Sequence, residues 1–416
     1  MKKFRLRLNR LRARRRDRGQ VIVMVVIALA VLVTIVGLAN DIGYAWRARL
    51  SMQSAADAGA LAAADALFKG GGVSPSSAAQ AAATQNGFTS GSGTTTNSNT
   101  VAVTVNNPPA SGSNSGNSNA VEVIVAQPQP TYFLAVAGFS SLNVSARAVA
   151  AVTSSGNCMY SLSPSANPAL NMASNGSITS SCGIVVNSSG AQALSGASND
   201  TISAPSLGIV GGKSWSGGGL PSNTTTGAAV VTDPLAYVST PAAGGTCTTW
   251  PTIGPNATAN IPAGFYCGLT VKSNSTVNLT SSGTYSFDGT VNLASSTTLS
   301  GTGVTLYFKS GSLSLSSNTI LNLSAPTSGT YSGIVIFQDR ADTTTLALSS
   351  NSAMTLTGAV YAPAANVTLA SNAFANVYSI FVASTISISS NSTININADY
   401  SGLPNGSPIK AAVAVE

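Results

Sequence analysis

The longest apolar run in the chain is Val21–Ala39, which contains no charged residue. At ~1.5 Å of rise per helical residue it spans about 28 Å, close to the ~30 Å hydrocarbon thickness of a bilayer. We therefore predict a membrane-spanning helix here. The alanine-rich segment that follows has no proline before the glycines at 70–72. Because alanine favours helix and glycine ends it, the helix is predicted to continue, so that span and extension together cover residues 20–68.

The polar and apolar pattern of residues 69–154 predicts a small α+β module. A serine-capped helix that begins with proline is expected at Ser74–Ala83. Runs of β-branched residues predict strands at Val101–Val105, Val121–Val125 and Leu142–Val152, and a short apolar helix is expected at Thr131–Gly138. The module contains no cluster of ionisable groups.

From residue 155 to residue 403 the chain consists of short apolar alternations separated by Ser, Asn and Gly. One phrase, Ser-Asn-small-x-apolar-x-apolar, recurs at intervals of 22, 22, 33, 21 and 19 residues, with copies that start at Ser273, Ser295, Ser317, Ser350, Ser371 and Ser390. An outlying copy starts at Ser174. A period near ~20 residues is typical of one coil of a parallel β-helix, in which equivalent asparagines can form ladders along the axis.

We therefore predict a multidomain, membrane-anchored chain that ends in an all-β, right-handed parallel β-helix. A β-sandwich and a disordered Ser/Thr-rich stalk are the alternatives for this region. Residues 404–416 are left as a C-terminal tail.

The charge distribution gives the predicted span a direction. Charged residues make up only 7% of the chain, and ten of its nineteen Lys and Arg lie in the first eighteen residues. This basic segment, residues 1–19, directly precedes the span, so the positive-inside rule places the N terminus in the cytoplasm and the C terminus in the periplasm or outside. A cleaved signal peptide, cut near Gly37–Ala39, is the alternative. From Gly19 onward the net charge is −2, so nucleic-acid binding is not expected.

The absence of histidine restricts the chemistry of the chain. It excludes Ser-His and Cys-His catalysis and histidine-ligated metals. In the β-helix region, only Asp339, Arg340 and Asp342 group carboxylates with a base. A loop with an internal salt bridge is the ordinary interpretation, and a carbohydrate or acid–base site is the lower-ranked one. We expect no enzyme activity, no bound metal and no cofactor.

All four cysteines lie beyond the span and none forms a CxxC motif. In an oxidising compartment we favour pairing Cys158 with Cys182 and Cys247 with Cys267, because these partners are close in sequence. The other two connectivities and free buried thiols stay open.

Small residues follow one face of the predicted helical extension. They are Ala55, Ala56, Gly59, Ala60, Ala63 and Ala64. Such a face lets another backbone approach closely, so we predict that it packs against a helix of a partner. The simpler interpretation is that alanine is a good helix former.

Residues 14–68 also resemble a known family. The segments that carry the resemblance are Arg18–Gln20, Gly37–Gly43, Arg47–Leu50 and Gln53–Ala64. Together they resemble the N-terminal region of the TadG-like proteins of tight adherence (Tad/Flp) pilus assembly. The resemblance implies a non-enzymatic, single-span protein of the bacterial inner membrane. It would act in pilus biogenesis or adhesion, with pilus components or the assembly platform as partners.

Two alternatives to this function stay open. Small members of such systems resemble type IV pilins, which are cut after a glycine and carry a glutamate five residues later. Here Met24 stands five residues after Gly19. A pilin-like subunit processed after Gly19 is therefore one alternative. A secreted or surface β-helix that binds or cleaves carbohydrate, with glycans as ligands, is the other.

Overall fold

The computed structural model describes residues 2–69, 72–349, 354–370, 378–404 and 406–416, and side chains from residue 21 onward except at 349. Within these ranges the chain forms two compact units. The first unit comprises Met1–Thr153 and Ala412–Glu416, and the second comprises Ser154–Ala411. The predicted C-terminal tail is thus divided between the units, because its last residues return to the first one.

Helix α1 of the first unit runs from Lys2 to Lys69. It begins earlier than the predicted residue 20, since the Arg, Leu and Lys residues before the span are also good helix formers. Within the described residues it is the one helix that is long and apolar enough to cross a membrane. Side chains from Val21 to Val36 are exposed, and burial begins at Gly37. The neck, as we call the rest of the first unit, therefore meets α1 at the end of the apolar run.

The neck has the predicted α+β composition. Helix α2, Pro75–Gln85, is capped by Ser74, whose hydroxyl accepts the Ser77 N–H at 3.1 Å. The strands are β1 (Ala102–Asn106), β2 (Ala120–Pro130) and β3 (Ser141–Ser154), with a 3₁₀ helix at Leu134–Ala137 between the last two. The three strands form an antiparallel sheet, and a final strand, Lys410–Ala414, lies next to β3. The predicted tail therefore contains a strand of this sheet.

The second unit is a parallel β-solenoid of about ten turns. The early arm, as we call its first part in the chain, consists of β4 (Asn157–Ser161), β5 (Leu170–Met172), β6 (Ser177–Ser180), β7 (Gly183–Val186), β8 (Leu194–Gly196), β9 (Thr201–Ser203), β10 (Leu207–Ile209), β11 (Lys213–Trp215) and β12 (Thr224–Thr226). Every described pairing among these strands is parallel.

The late arm follows after a long irregular segment. It consists of β13 (Thr258–Ile261), β14 (Phe265–Tyr266), β15 (Leu269–Val271), β16 (Thr276–Leu279), β17 (Gly283–Asp288), β18 (Val291–Leu293), β19 (Thr298–Thr302), β20 (Val304–Ser310), β21 (Leu313–Leu315), β22 (Ile320–Ser324), β23 (Ile334–Gln338), β24 (Leu346–Ser349), β25 (Met354–Ala370), β26 (Ser379–Ile388) and β27 (Thr393–Ile396). The parallel solenoid confirms the predicted fold class; its handedness stays a prediction.

The order of the coils in the stack differs from their order in the chain. Strand β26, near the end of the late arm, pairs with β4 and β5 at the start of the early arm. Strand β27 likewise pairs with β6. The last coil of the late arm therefore stacks on the first coil of the early arm, in the interior of the stack. Consistently, Ser155 N donates to Ile409 O at 3.0 Å, so the chain enters and leaves this unit at adjacent positions.

The repeated asparagine of the sequence phrase occupies a corner of the coil. Residues with positive φ at these corners are Asn175, Asn199, Asn256, Asn274, Ser296, Asn318 and Asn391, with φ between 56° and 66°. Asparagine tolerates this left-handed conformation better than other residues with a side chain. The copies of the phrase at Ser350 and Ser371 have their asparagines outside the described residues.

The predicted asparagine ladder is present where the two arms meet. Asn175 donates to Asn391 Oδ1 at 3.0 Å, and Asn199 donates to Asn175 Oδ1 at 3.0 Å. The copy that looked isolated, at Ser174, thus stacks directly on the last copy of the repeat. In such a ladder each side-chain amide is hydrogen-bonded to the next asparagine instead of to water.

Apolar side chains fill the inside of the coils. The core is continuous from the early arm to the late arm. It includes a row of rings in which Tyr266, Phe287 and Phe308 follow one another with centroids 6.0 and 5.4 Å apart. Neighbouring coils therefore hold each other by the same contacts at each step, as in other solenoids.

Candidate functional site

The junction between the span and the neck is fixed by Asp41. Its side chain is only 2% exposed, and its carboxylate accepts the backbone N–H groups of Tyr132, Phe133 and Leu134 at 3.1, 2.9 and 2.8 Å. These three donors are at the start of the 3₁₀ helix, where no preceding carbonyl is available to them. A negative charge is favourable at this position. Asp41 therefore ties the loop between β2 and β3 to α1, just beyond the apolar run.

The alanine face of α1 is covered by the chain itself. Ala55, Ala56, Ala60, Ala63 and Ala64 are at most 1% exposed and pack with α2 and the neck sheet. Gly59 lies in the same contact.

A Cβ atom on Gly59 would come within 3.2 Å of Val123 Cγ1 and 3.3 Å of Ala79 O. The prediction that this face is open to a helix of a separate partner is thus wrong for the folded chain. The small residues do permit close packing, but the helix that they admit is α2.

A charged network joins the strands of the neck. Arg147 on β3 pairs with Glu122 on β2 and donates to Glu416 Oε2 at 2.6 Å. Burial alone would raise the pKa of Glu122, but hydrogen bonds from Asn106, Arg147, Ala110 and Ser111 hold it below its ordinary value. Hydrogen bonds from Ser113, Arg147 and Asn114 lower the pKa of Glu416 to about 2. The network fastens the last residues of the chain to the sheet.

The loop with Asp339, Arg340 and Asp342 is a structural contact of the solenoid. Arg340 donates to the carbonyls of Leu235, Ala236 and Val238 at 3.2, 3.3 and 2.7 Å, and to Thr240 at 3.0 Å. Its guanidinium also lies over the rings of Phe337 and Tyr361.

Among the described residues, no ion pair joins Arg340 to Asp339 or Asp342, so the predicted internal salt bridge is wrong. Asp339 instead accepts the Tyr307 hydroxyl at 2.8 Å, and Asp342 caps the Thr344 N–H at 2.9 Å.

Arg340 holds a segment that we call the strap, residues 230–241. The strap connects the two arms, because Val231 exchanges hydrogen bonds of 2.6 and 3.0 Å with Asn187 of the early arm. Asp233 accepts the Tyr361 hydroxyl at 2.7 Å, and burial followed by this charge raises the pKa of Tyr361. Leu235 and Val238 of the strap are buried.

Both disulfides join the partners that the sequence favours. Cys158 pairs with Cys182, and Cys247 pairs with Cys267. The first links β4 to the turn before β7, and the second links the end of the irregular segment to the start of the late arm. No free cysteine is present among the described residues.

Sequence reasoning missed several of these positions. Asp41 lies in the Gly37–Gly43 segment of the family resemblance, but the sequence assigns it no role. Arg147 and Glu416 are 269 residues apart in the chain, so the sequence does not reveal their contact. The strap has no repeat phrase and was counted as part of the β-helix. A half-buried arginine with many partners, such as Arg340, could be anticipated only from the scarcity of charge in this unit.

The described residues contain no group of three or more Cys, Asp or Glu placed to hold a metal ion.

Comparison with known families assigns the first unit. Residues 19–66 match the family described as Flp pilus-assembly TadE/G-like, and residues 54–150 match the family described as Tad-like Flp pilus-assembly. No curated protein and no solved structure matches the chain. The solenoid lies outside both family matches.

A long apolar helix that continues into a small α+β unit, with a parallel solenoid after it, defines a membrane-anchored single-pass protein. Its N-terminal region is similar to the TadE/G-like and Tad-like domains of Flp pilus assembly. These domains support a role in Flp/Tad pilus assembly.

Proposed function

We propose that this chain is a non-enzymatic anchor subunit of the Flp/Tad pilus-assembly apparatus, which presents the solenoid outside the bacterial inner membrane. The observation that carries the proposal is the continuity of α1. The same helix supplies the apolar run and, from Met52 to Ala64, the core of the neck. A helix of this kind fixes the neck to the membrane without a flexible linker.

Two features support the direction of insertion. The basic residues before Val21 favour a cytoplasmic N terminus. The two disulfides of the solenoid favour an oxidising compartment on the other side. The neck and solenoid are accordingly periplasmic or extracellular.

A structural role fits the solenoid better than catalysis does. The one grouped pair of carboxylates is engaged by Tyr307, by loop N–H groups and by the fold around Arg340. Its surface is formed by hydroxyl and amide side chains, which suits a rigid, uncharged presenting element. Glycan binding stays a prediction for this surface.

The test is deletion of the gene in its host bacterium, followed by complementation with the full-length chain. We expect loss of assembled Flp pili in the deletion strain, seen by electron microscopy, and recovery with the wild-type chain. Normal pilus number and normal surface attachment in the deletion strain would contradict the proposal.

A topology measurement in the same strain tests the anchor. Protease added to spheroplasts should digest the solenoid and leave the N-terminal segment protected. N-terminal sequencing of the mature protein should find residues before Gly19. A mature chain that begins at Gln20 would favour the pilin-like alternative instead.

A further inference from the structure

The loop between β2 and β3 carries an unusual set of exposed apolar side chains. Tyr132, Phe133, Val136 and Phe139 are 62%, 45%, 91% and 62% exposed. Soluble proteins rarely expose contiguous apolar groups of this size without a partner. The nearest charged residues in the sequence are Glu122 and Arg147, so the loop and its flanks are entirely uncharged.

The loop lies beside the membrane-spanning part of α1. Phe133 packs on Gly37, where a Cβ atom would approach its ring to 2.3 Å. At ~1.5 Å per residue, Gly37 lies about 3 Å inside the end of the apolar run at Ala39. Tyr132 also contacts Tyr44 of α1, with ring centroids 6.5 Å apart. The exposed loop therefore continues the lipid-facing surface of the helix.

The backbone of the loop is internally hydrogen-bonded. Thr131 N donates to Ser140 O at 3.2 Å and closes its base, and Gly138 N donates to Ala135 O at 3.0 Å. Asp41 accepts the three N–H groups at the start of the 3₁₀ helix, as described above. A loop can enter an apolar phase at low cost only when its polar backbone groups are satisfied in this way.

We propose that Tyr132–Phe139 inserts into the outer interface of the bilayer and forms a second membrane contact beside α1. The occupant is lipid, because the loop is continuous with a surface that already faces lipid and because its only adjacent carboxylate, Asp41, is fully engaged. Tyr and Phe side chains are favoured at this depth. The loop and α1 together would hold the neck in one orientation on the membrane.

The proposal rests on the membrane span and not on the pilus role. It can be tested with the full-length chain in phosphatidylethanolamine/phosphatidylglycerol vesicles. Because the native cysteines are paired in disulfides, a single introduced cysteine can be labelled with the fluorophore NBD. The test variant is Val136→Cys, whose exposed side chain has no packing role to lose.

Two matched variants provide the references. Val26→Cys reports from within the span, and Val73→Cys, 55% exposed, reports from the neck beyond the other end of α1. We expect NBD at 136 to show blue-shifted emission and to lose most of its fluorescence when doxyl-labelled lipids are included, as at 26. NBD at 73 should show neither change.

Two results would overturn the proposal. Emission at 136 like that at 73 would place the loop in water. Blue-shifted emission without quenching by doxyl lipid would place the loop in a protein contact, such as one with a second copy of the chain.

Discussion

The two arms of the solenoid have the same architecture but reach it differently. The late arm contains long strands, including the 17-residue β25, and six copies of the repeat phrase start between Ser273 and Ser390. The early arm has mostly three- and four-residue strands and one copy of the phrase. Yet β27 and β6 pair in register, although they are 216 residues apart at Asn391 and Asn175. Stacking depends on the local shape of a coil and not on its place in the sequence.

The largest expected loss of stability comes from a substitution in the coil where the late arm stacks on the early arm. Ile396 of β27 and Ile261 of β13 occupy the same strand position and are 3% and 2% exposed. Ile396→Ala should cost about 3 kcal/mol, because a cavity is left in a packed core. Since Ile396 lies between the two arms, the variant should weaken both.

Ile261→Ala is the matched control in the first strand of the late arm. It should loosen only the coil around it, because repeat stability depends on nearest neighbours. Hydrogen exchange measured by mass spectrometry separates these outcomes. Equal and purely local loss of protection in both variants would contradict the stacking of the two arms on each other.

The strap is the second connection between the arms. Arg340→Ala removes its hydrogen bonds to the strap and should lower the free energy of unfolding by about 2 kcal/mol, the range for a hydrogen-bonded charged group. Chemical denaturation and limited proteolysis of residues 230–241 provide the measurements.

Lys309→Ala is the control, because Lys309 pairs with Asp288 at an exposed site. An exposed ion pair of this kind should contribute less than ~1 kcal/mol. If the two variants were equally stable and the strap stayed resistant to protease, its role as a connection would be refuted.

The corner asparagines should have a smaller effect. Asn175→Ala puts alanine, which lacks the polar side chain that lets asparagine tolerate the left-handed conformation, at this corner, at a cost of about 1 kcal/mol. It also removes two ladder hydrogen bonds. Asn175→Gly keeps the backbone conformation and removes only the ladder. Thermal unfolding should therefore rank wild type above Asn175→Gly, and Asn175→Gly above Asn175→Ala.

Acid should weaken the first unit through two carboxylates of the neck network. Glu122 and Glu416 have pKa values lowered from 4.5 by hydrogen bonds, Glu416 to about 2. Carboxylates with lowered pKa stabilise the fold above their unfolded pKa, and this contribution is lost as the pH falls toward the folded value. The first unit should thus weaken between pH 4.5 and about 2, and Glu416→Gln should flatten this dependence. Hydrogen exchange of β3 at several pH values measures it.

Local pattern predicted much of this molecule. The apolar run, the neck strands and the coil period follow from side-chain periodicity, which the structure reproduces in α1, β2 and the late arm. The corner asparagines were visible because the left-handed conformation restricts residue type at each coil. Proximity in sequence also favoured the observed disulfides.

Long-range neighbours could not be predicted in the same way. Every coil presents similar unpaired strand edges to its neighbour. The phrase at Ser174 therefore does not specify that it stacks on the copy at Ser390. The partners of Arg340 are backbone carbonyls of the strap, which have no sequence signature. The alanine face showed that a close contact exists, but a small side chain does not distinguish α2 from a helix of another chain.

The central feature of the fold is the stacking of the last coil of the late arm on the first coil of the early arm, and a paired-cysteine measurement tests it most directly. Thr179 and Asn395 are exposed neighbours in the register of β6 and β27. In the full-length chain, Thr179→Cys with Asn395→Cys should form an intramolecular disulfide, identified by mass spectrometry of its peptides. Asn278→Cys with Ser300→Cys, neighbours within the late arm, is the positive control. A cross-link in the control pair but none between 179 and 395 would contradict the stacking of the two arms on each other.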